Sequence, residues 1–298
     1  MVGRIIKAIS GFYYVADGDT VYECKARGNF RRQGIQLLVG DFAEITVNSN
    51  GYGVVEEIKP RRNSLKRPAL ANIDKLFIVS SHSTPSPDLL MIDRLTALAN
   101  YHGIEPVIVF NKADMGDFSQ FVDIYKKTDF RTYTVSALTG EGIDNLKSEL
   151  VGCVSAFSGN SGVGKSSILN AIFGDLFNLA TGEVSDKLGR GRHTTRHTEL
   201  YRHNMDGFVA DTPGFSSIES EDGNYDFKEH LAECFPEFTD FTTDCKFSSC
   251  THTCEKGCGV LSAVENGKIP VSRHNSYLSI FEELKDLKEW NTKNSSKK

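Results

Sequence analysis

The sequence has no apolar run approaching the roughly 20 residues that a membrane-crossing helix needs, so a helical span is not its organising feature. It has no excess of positive charge either. Its 39 Asp+Glu outweigh 34 Lys+Arg for a net −5, which argues against nucleic-acid binding by the surface as a whole. The opening stretch, MVGRIIKAISGFYYVADGD, carries no signal-peptide cleavage pattern and soon alternates like a strand, which makes a cytoplasmic protein the expectation. Paired cysteines are lacking too: there are seven, an odd number, and four of them (Cys245, Cys250, Cys254, Cys258) fall within 14 residues. Without an export signal, that clustering points away from a disulfide framework and towards a metal.

What is present is unevenly spread over 298 residues, a length that suits two or three domains. Residues 1–67 hold 11 Lys/Arg against 7 Asp/Glu, so the acidic excess lies beyond them. The basic residues gather in KARGNFRR (25–32) and KPRRNSLKR (59–67), with aromatics nearby. Alone, such runs are solvated faces. On a small β domain they are also what an RNA-binding module requires, cations for phosphates and rings for stacking. The same segment reads as short strands, GFYYVAD, TVYECKARG, QLLVGDFAEITVN and GYGVVEEIK, separated by turns at Gly11, DGD (17–19), Gly40 and NSNGYG (48–53). This spacing fits a small barrel, OB-like first and SH3-like second.

From about residue 72 the pattern changes. KLFIVSS (75–81) and PVIVFNK (106–112) are continuous apolar runs, as expected of parallel strands covered on both faces. Between them PDLLMIDRLTALANYHG places Leu90, Leu95 and Leu98 at near-helical spacing and stops at Gly103. TYTVSA, the helical GIDNLKSEL, VSAFSG, a helix from Lys165 and GFVADTPG continue the alternation, which predicts a doubly wound α/β sheet. Beyond Gly214 an acidic stretch leads to the cysteines. A closing helix over 272–290 puts Tyr277, Ile280, Phe281, Leu284 and Leu287 on one face.

GNSGVGKSS (159–167) follows an apolar strand and opens a helix, the setting a phosphate cradle needs. Gly159, Asn160, Ser161, Gly162, Val163 and Gly164 form a loop whose amides can turn inward on phosphate oxygens. Lys165 is expected on the β and γ phosphates and Ser166 on Mg²⁺, with Ser167 beside it in the helix whose positive end faces the anion. NKAD (Asn111, Lys112, Ala113, Asp114) ends another apolar strand. Asp114 can accept from the N1 and N2 amines of guanine, which adenine does not offer. Lys112 would lie across the ring and Asn111 would tie this loop to the cradle. Ser136 and Ala137, in SALTG, end the next strand, where the Ala137 amide could donate to guanine O6. The base reader thus precedes the cradle by 48 residues, the reverse of the usual order. Chain ends that lie together can be joined and the chain cut elsewhere, so the domain reads as a circularly permuted GTPase. DTPG places Asp211 to hold Mg²⁺ through water and Gly214 at the γ-phosphate. GRGRHTTRHT (189–198) sits where switch I belongs, with Thr195 ahead of Thr194 for the Mg²⁺ contact. The position after DTPG is Phe215 rather than a water-orienting glutamine, which leaves His193 either as the group that orients water or as an exposed loop histidine.

CKFSSCTHTCEKGC offers five donors, Cys245, Cys250, His252, Cys254 and Cys258, for the four places of a structural Zn²⁺, and spacing alone does not choose among them. Cys24, Cys153 and Cys234 read as ordinary buried residues. The ordered set RGNFRR…VGDFAEI, NKAD, SAL, GNSGVGKSS, HTT, DTPG and the cysteine cluster resembles the RsgA (YjeQ/YloQ) family of permuted GTPases, over nearly all of residues 1–290.

The resemblance implies an OB-fold RNA-binding domain (1–66), the permuted GTPase domain (67–218) and a mostly helical zinc-binding domain with a C-terminal helix (219–298). It implies GTP hydrolysis to GDP in late maturation of the 30S subunit, stimulated by that particle. The partners expected are the 30S subunit and 16S rRNA, for a cytoplasmic monomer with Mg²⁺ alongside GTP and one structural zinc. The family spacing Cys-x4-Cys-x-His-x5-Cys maps onto Cys245, Cys250, His252 and Cys258 and omits Cys254. The family's catalytic histidine coincides with His193, whereas Arg196 stands where a third threonine is common. A nucleotide-gated RNA-binding protein with incidental hydrolysis is the alternative. A metabolic kinase is disfavoured by Asp114 and by the lack of an acceptor-site signature.

Overall fold

The computed structural model describes residues 1–66, 68–82, 86–174, 198–211 and 225–286. Its first unit is built from β1 (Val2–Ile9), β2 (Phe12–Asp17), β3 (Thr20–Ala26), α1 (Gly28–Arg32), β4 (Phe42–Val47) and β5 (Gly53–Ile58). Antiparallel β1–β2, β2–β3, β4–β5 and β1–β4 ladders and a parallel β3–β5 ladder close these strands into a five-stranded barrel. This is the OB arrangement rather than the SH3-like alternative. Alternation puts Ile5, Val15, Cys24, Ala43, Ile45 and Val55 inside, and Phe30 of α1 completes the core.

Two expectations change here. The strand expected over TVYECKARG ends at Ala26 and a helical turn follows from Gly28, and the strand expected over QLLVGDFAEITVN begins only at Phe42. Leu37, Leu38 and Val39 are buried without being part of a strand, so the apolar run reflects burial and not extension.

A small hairpin, β6 (Ser64–Lys66) and β7 (Ala69–Ala71), leads into the second unit. There β8 (Lys75–Ser81), α2 (Leu89–Tyr101), β9 (Glu105–Asn111), α3 (Ser119–Tyr125), β10 (Arg131–Val135), α4 (Ile143–Ser148), β11 (Val154–Ser158), α5 (Lys165–Phe173), β12 (Glu199–His203) and β13 (Gly207–Asp211) follow in sequence. The sheet order is β10-β9-β8-β11-β13-β12, parallel except for β12. Both faces are covered, which explains the unbroken apolar strands. Phe77, Val79, Val107, Val109 and Phe157 face α4 and α5, while Leu76, Ile78, Ile108 and Phe110 belong to the core that includes α2 and α3. Helix α2 is capped by Asp88, which accepts from Met91 N–H at 3.1 Å, and it stops at Gly103, whose φ of 65° needs no Cβ.

The last unit holds α6 (Tyr225–Glu229), α7 (Thr239–Thr242), α8 (Gly259–Glu265) and α9 (Val271–Leu284). Tyr277, Ile280 and Leu284 are buried along α9 as the sequence predicts, and Leu287 lies outside the described residues. The side of α9 facing α2 also buries a charge. Arg273 meets Asp93 at 2.7 Å and Glu237 at 2.6 Å with no solvent exposure. No helix among the described residues is long and apolar enough to cross a membrane.

Candidate functional site

Parallel α/β sheets bind ligands at the carboxyl ends of their strands, and the sequence motifs converge there. Strands β9 and β10, with NKAD and SAL, lie on one side of β11, which delivers GNSGVGKSS, and β8 stands between. The chain reaches β8, β9 and β10 first and β11 afterwards, yet their ends form a single crevice.

Asn111 makes the connection. Its side chain is buried, its Nδ2 donates to Val163 O at 2.9 Å, and its Oδ1 accepts from Ala137 N–H at 3.1 Å. One amide therefore holds NKAD, the glycine loop and SAL in register. Gly164 accommodates it: φ is 94°, and a Cβ there would lie 2.2 Å from Asn111 Nδ2. Gly159, at φ 135°, would place a Cβ 2.1 Å from Val79 O. Both glycines are demanded by close backbone approach.

Lys112, itself left-handed at φ 68°, donates to Gly162 O at 2.8 Å. Asp114 accepts from the Ser136 hydroxyl at 2.5 Å, which fixes the carboxylate's orientation, and Ala113 lies in the short helical turn between these residues. Lys165 donates to Gly159 O at 2.7 Å and Asn160 O at 2.9 Å, and burial lowers its pKa. Ser161, Gly162, Ser166 and Ser167 are exposed around the loop and the first turn of α5, and Val163 is buried beneath it. The Ala137 amide donates to Asn111, which places it in the frame of the crevice.

Asp211 ends β13, beside the cradle strand, through the Ala156–Ala210 pair of the β11–β13 ladder. His193, Thr194, Thr195, Arg196, Gly214 and Phe215 lie outside the described residues.

The second cluster is in the C-terminal unit. Cys245, Cys250, His252 and Cys258 bring their donor atoms within 4.8 Å of one another. Cys245 Sγ lies 3.9 Å from Cys258 Sγ, and His252 Nδ1 lies 3.7 Å and 3.5 Å from these two sulfurs. A tetrahedron with the usual Zn–S and Zn–N lengths has edges of about 3.8 Å between sulfurs and about 3.5 Å between sulfur and nitrogen. The donor set fits zinc in both chemistry and spacing. Cys254 is exposed and outside the group.

Supports invisible in the motif hold it. Glu255 accepts from the backbone of Thr251, Thr253 and Cys254 at 2.7, 3.0 and 3.1 Å. Gly259 N–H and Leu261 N–H donate to Cys245 and Cys258 sulfur at 3.3 and 3.4 Å. Tyr277 and His274 of α9 hydrogen-bond the carbonyls of Thr251 and His252. Only the folding back of the chain between Thr251 and Glu255 reveals the part Glu255 plays.

Residues 58–221 match the family described as RsgA GTPase, and residues 2–55 match the RsgA N-terminal domain. A small ribosomal subunit biogenesis GTPase RsgA from Moorella thermoacetica is 46% identical over 286 residues, covering 95% of this chain and 97% of that one. Its counterpart from Caldanaerobacter subterraneus subsp. tengcongensis is 42% identical over 295 residues, 98% of each. Among solved structures, YjeQ from Thermotoga maritima superposes with a TM-score of 0.81 at 35% identity, covering 96% of this chain and 99% of that one. YloQ, described as a circularly permuted GTPase, superposes with 0.80 at 33% identity, covering 96% of each.

Proposed function

The chain belongs to the RsgA GTPase family, and from that premise we propose that it hydrolyses GTP to GDP and phosphate as a late factor in 30S subunit maturation. In this reading it is a cytoplasmic monomer that binds the particle through 16S rRNA and is stimulated by it. Its working parts are the barrel (1–66), the permuted GTPase domain (67–218) and the zinc domain (219–298). The observation that supports the nucleotide reading best is the Asn111 bridge, because it brings a guanine-type motif and a phosphate-type loop to one crevice.

Asp114 accepts from guanine N1 and N2 while Ser136 holds its other face, and Lys112 lies along the base. The glycine-loop amides and the start of α5 face the phosphates. Lys165, which donates to two loop carbonyls, would exchange them for the β and γ phosphates. Magnesium would be held by Ser166 and Thr195, with Asp211 acting through water, and supplies charge neutralisation on the phosphates. His193 orients the attacking water, and the Gly214 amide reads the γ-phosphate. Cys245, Cys250, His252 and Cys258 hold one Zn²⁺; four protein ligands close the site, which makes it structural. Metal analysis checks this: one zinc per chain is expected, lost in Cys258→Ser.

Asp114→Asn replaces an acceptor by a donor, so GTP turnover should fall at least 100-fold and xanthosine triphosphate, whose C2 carbonyl accepts, should partly recover it. Unchanged GTP preference would remove Asp114 from base reading. Turnover titrated with purified small subunits tests the ribosomal part, and a rate indifferent to the particle would count against it. An unaltered rate in His193→Ala, free and with the particle, would reassign the water-orienting group.

A further inference from the structure

The loop that carries the base reader is fastened at both ends, and only one fastening belongs to a motif. At its start Asn111 joins it to the glycine loop and to SAL. From NKAD the chain runs through Met115 and Gly116, and at Asp117 it meets a side chain from another strand. β8 ends at Ser81, which pairs with Asn111, so His82 follows it at the carboxyl edge of the sheet as Lys112 follows Asn111. His82 Nε2 lies 2.7 Å from Asp117 O. A carbonyl can only accept, so this nitrogen carries the proton and donates.

The contact is packed as well as bonded. The His82 ring lies 4.4 Å from that of Phe118, which is buried and stacks in turn on Phe110 of β9 at 5.1 Å. Gly116 passes so close to the imidazole that a Cβ there would lie 2.8 Å from Cδ2 and 3.0 Å from Nε2. Its φ of 174° is extended backbone that any residue adopts, so the ring and not the dihedral demands glycine here. Asp117 is itself fixed. Its Oδ1 accepts from the Ser119 N–H at 2.9 Å and from the Ser119 hydroxyl at 2.6 Å as α3 begins.

Residues 112–117 therefore span two posts, with Lys112 and Asp114 between them. Asp114 can read N1 and N2 together only where its carboxylate lies within hydrogen-bond distance of both. Ser136 sets the direction of that carboxylate. A hydroxyl on one oxygen does not fix the backbone that carries it, and the second post does.

We infer that His82 is a positioning residue for guanine recognition. By donating to Asp117 O and packing against Gly116, it sets the loop where Asp114 accepts from both amines of the base. It acts through the loop and not on the nucleotide. The inference rests on the reading of Asp114 as the base reader, and adds to it a residue outside every nucleotide-binding motif of the chain.

The full chain is titrated with GDP and with inosine diphosphate, which lacks the N2 amine, by displacement of a fluorescent GDP. GTP turnover is followed on the same preparations. His82→Phe keeps a ring beside Phe118 and removes the donor, whereas His82→Gln removes the ring and returns an N–H at similar reach. One ordinary hydrogen bond is at stake, so His82→Phe should weaken GDP about threefold to tenfold. Inosine diphosphate makes one bond to Asp114 instead of two and should lose less, so the preference for GDP narrows. KM for GTP should rise in step while kcat stays within about twofold, because binding to the base serves ground and transition states alike. His82→Gln should recover most of the preference. Gly116→Ala, whose Cβ displaces the ring, should reproduce the loss in the wild type and add nothing in His82→Ala, where no ring remains to strike. A wild-type preference retained in both His82→Phe and Gly116→Ala would overturn the inference, even with a lowered urea midpoint, since His82 would then only support the fold. A Gly116→Ala effect undiminished in His82→Ala would overturn it too. Wild-type chain that binds both diphosphates equally would instead remove Asp114 from base reading, and this inference with it.

Discussion

The GTPase domain is gripped from two sides, and the grips differ in kind. On the C-terminal side, α9 lays Arg273 against α2, and the guanidinium is wholly buried. Asp93, Glu237 and Thr96 accept from it, and the rings of Phe130 and Phe235 lie 5.2 and 4.6 Å from its carbon. Asp93 also accepts from Tyr125 at 2.8 Å. On the barrel side, β1 pairs antiparallel with β12 at Lys7 and Glu199, whose side chains meet at 2.7 Å and are 30% and 23% exposed. Arg202 reaches Gly18 O and Asp19 at 2.8 and 2.7 Å across the same seam. One contact is dry and aromatic, the other wet and ionic. A dry ion network tolerates almost no relative movement, because any shift strands a charge. A wet seam exchanges protein partners for water at little cost. The zinc unit is therefore tied to the GTPase domain by the stiffer contact, and the β1–β12 seam, at the strand that leaves the predicted switch I, is the more compliant of the two.

The largest effect expected follows from the dry side. Arg273→Met leaves two carboxylates buried without their cation and should cost about 3–5 kcal/mol, seen as a lowered urea midpoint. Adding Asp93→Leu and Glu237→Leu should recover much of this, since apolar replacement of a whole buried network is tolerated far better than removal of one member. A midpoint for Arg273→Met within error of wild type would show that water reaches the network and would erase the contrast.

An intermediate effect is expected inside the GTPase domain, where α4 turns into the cradle strand β11 and the permuted chain is joined. Glu149 accepts there from Lys75, Arg131 and Tyr133 at 2.5, 2.6 and 2.5 Å. Burial pushes its pKa up, but these hydrogen bonds prevail and hold it at about 2 against an ordinary 4.5. A depressed carboxylate stabilises the fold fully above the unfolded value and loses that contribution as pH falls through the folded one. Glu149→Gln should therefore cost about 2 kcal/mol at pH 7, and the gap to wild type should narrow from below about pH 4.5 towards pH 2. Parallel acid titrations of unfolding read this directly, and a gap that stays constant with pH would deny the carboxylate its role.

The sequence makes these two sides unequally visible. The strands of the GTPase domain are legible because full burial writes continuous apolar runs, and the crevice is legible because phosphate and guanine chemistry each require a distinct short motif. The zinc donors are legible as types, and only the loop geometry separates Cys254 from the four that converge. Arg273 falls on the apolar stripe of its own helix, four residues before Tyr277 and seven before Ile280, but nothing local reveals why a charge stands there, since its partners are 36 and 180 residues away. The basic run at 59–67 reads as a solvated face or as cations for phosphates, yet Lys59 pairs with Glu44, Arg61 with the buried Asp41 and Arg62 with Asp74. Ion pairs between distant residues leave no local pattern, so charge runs reveal sign but not employment.

The smallest effect belongs to the seam, and its smallness is what would confirm the contrast. Lys7→Ala and Arg202→Ala each remove a partly exposed ion pair, so neither should shift the urea midpoint by more than about 1 kcal/mol. The barrel keeps a separate buried attachment through the linker hairpin, where Ala71 N–H donates to Val39 O at 2.8 Å and Asn72 donates to Gly40 O at 3.1 Å. Local opening is what should change. Amide exchange in β1 and β12 should quicken in the double variant, while exchange in β8 and β9, at the centre of the sheet, should not. Raising salt should mimic the variant in the wild type, because screening weakens exposed pairs and leaves buried ones nearly untouched. If both strands stayed as protected as β8, or if the double variant lost as much stability as Arg273→Met, the seam would be a second rigid attachment, and the barrel could not move independently of the strand that follows the predicted switch I.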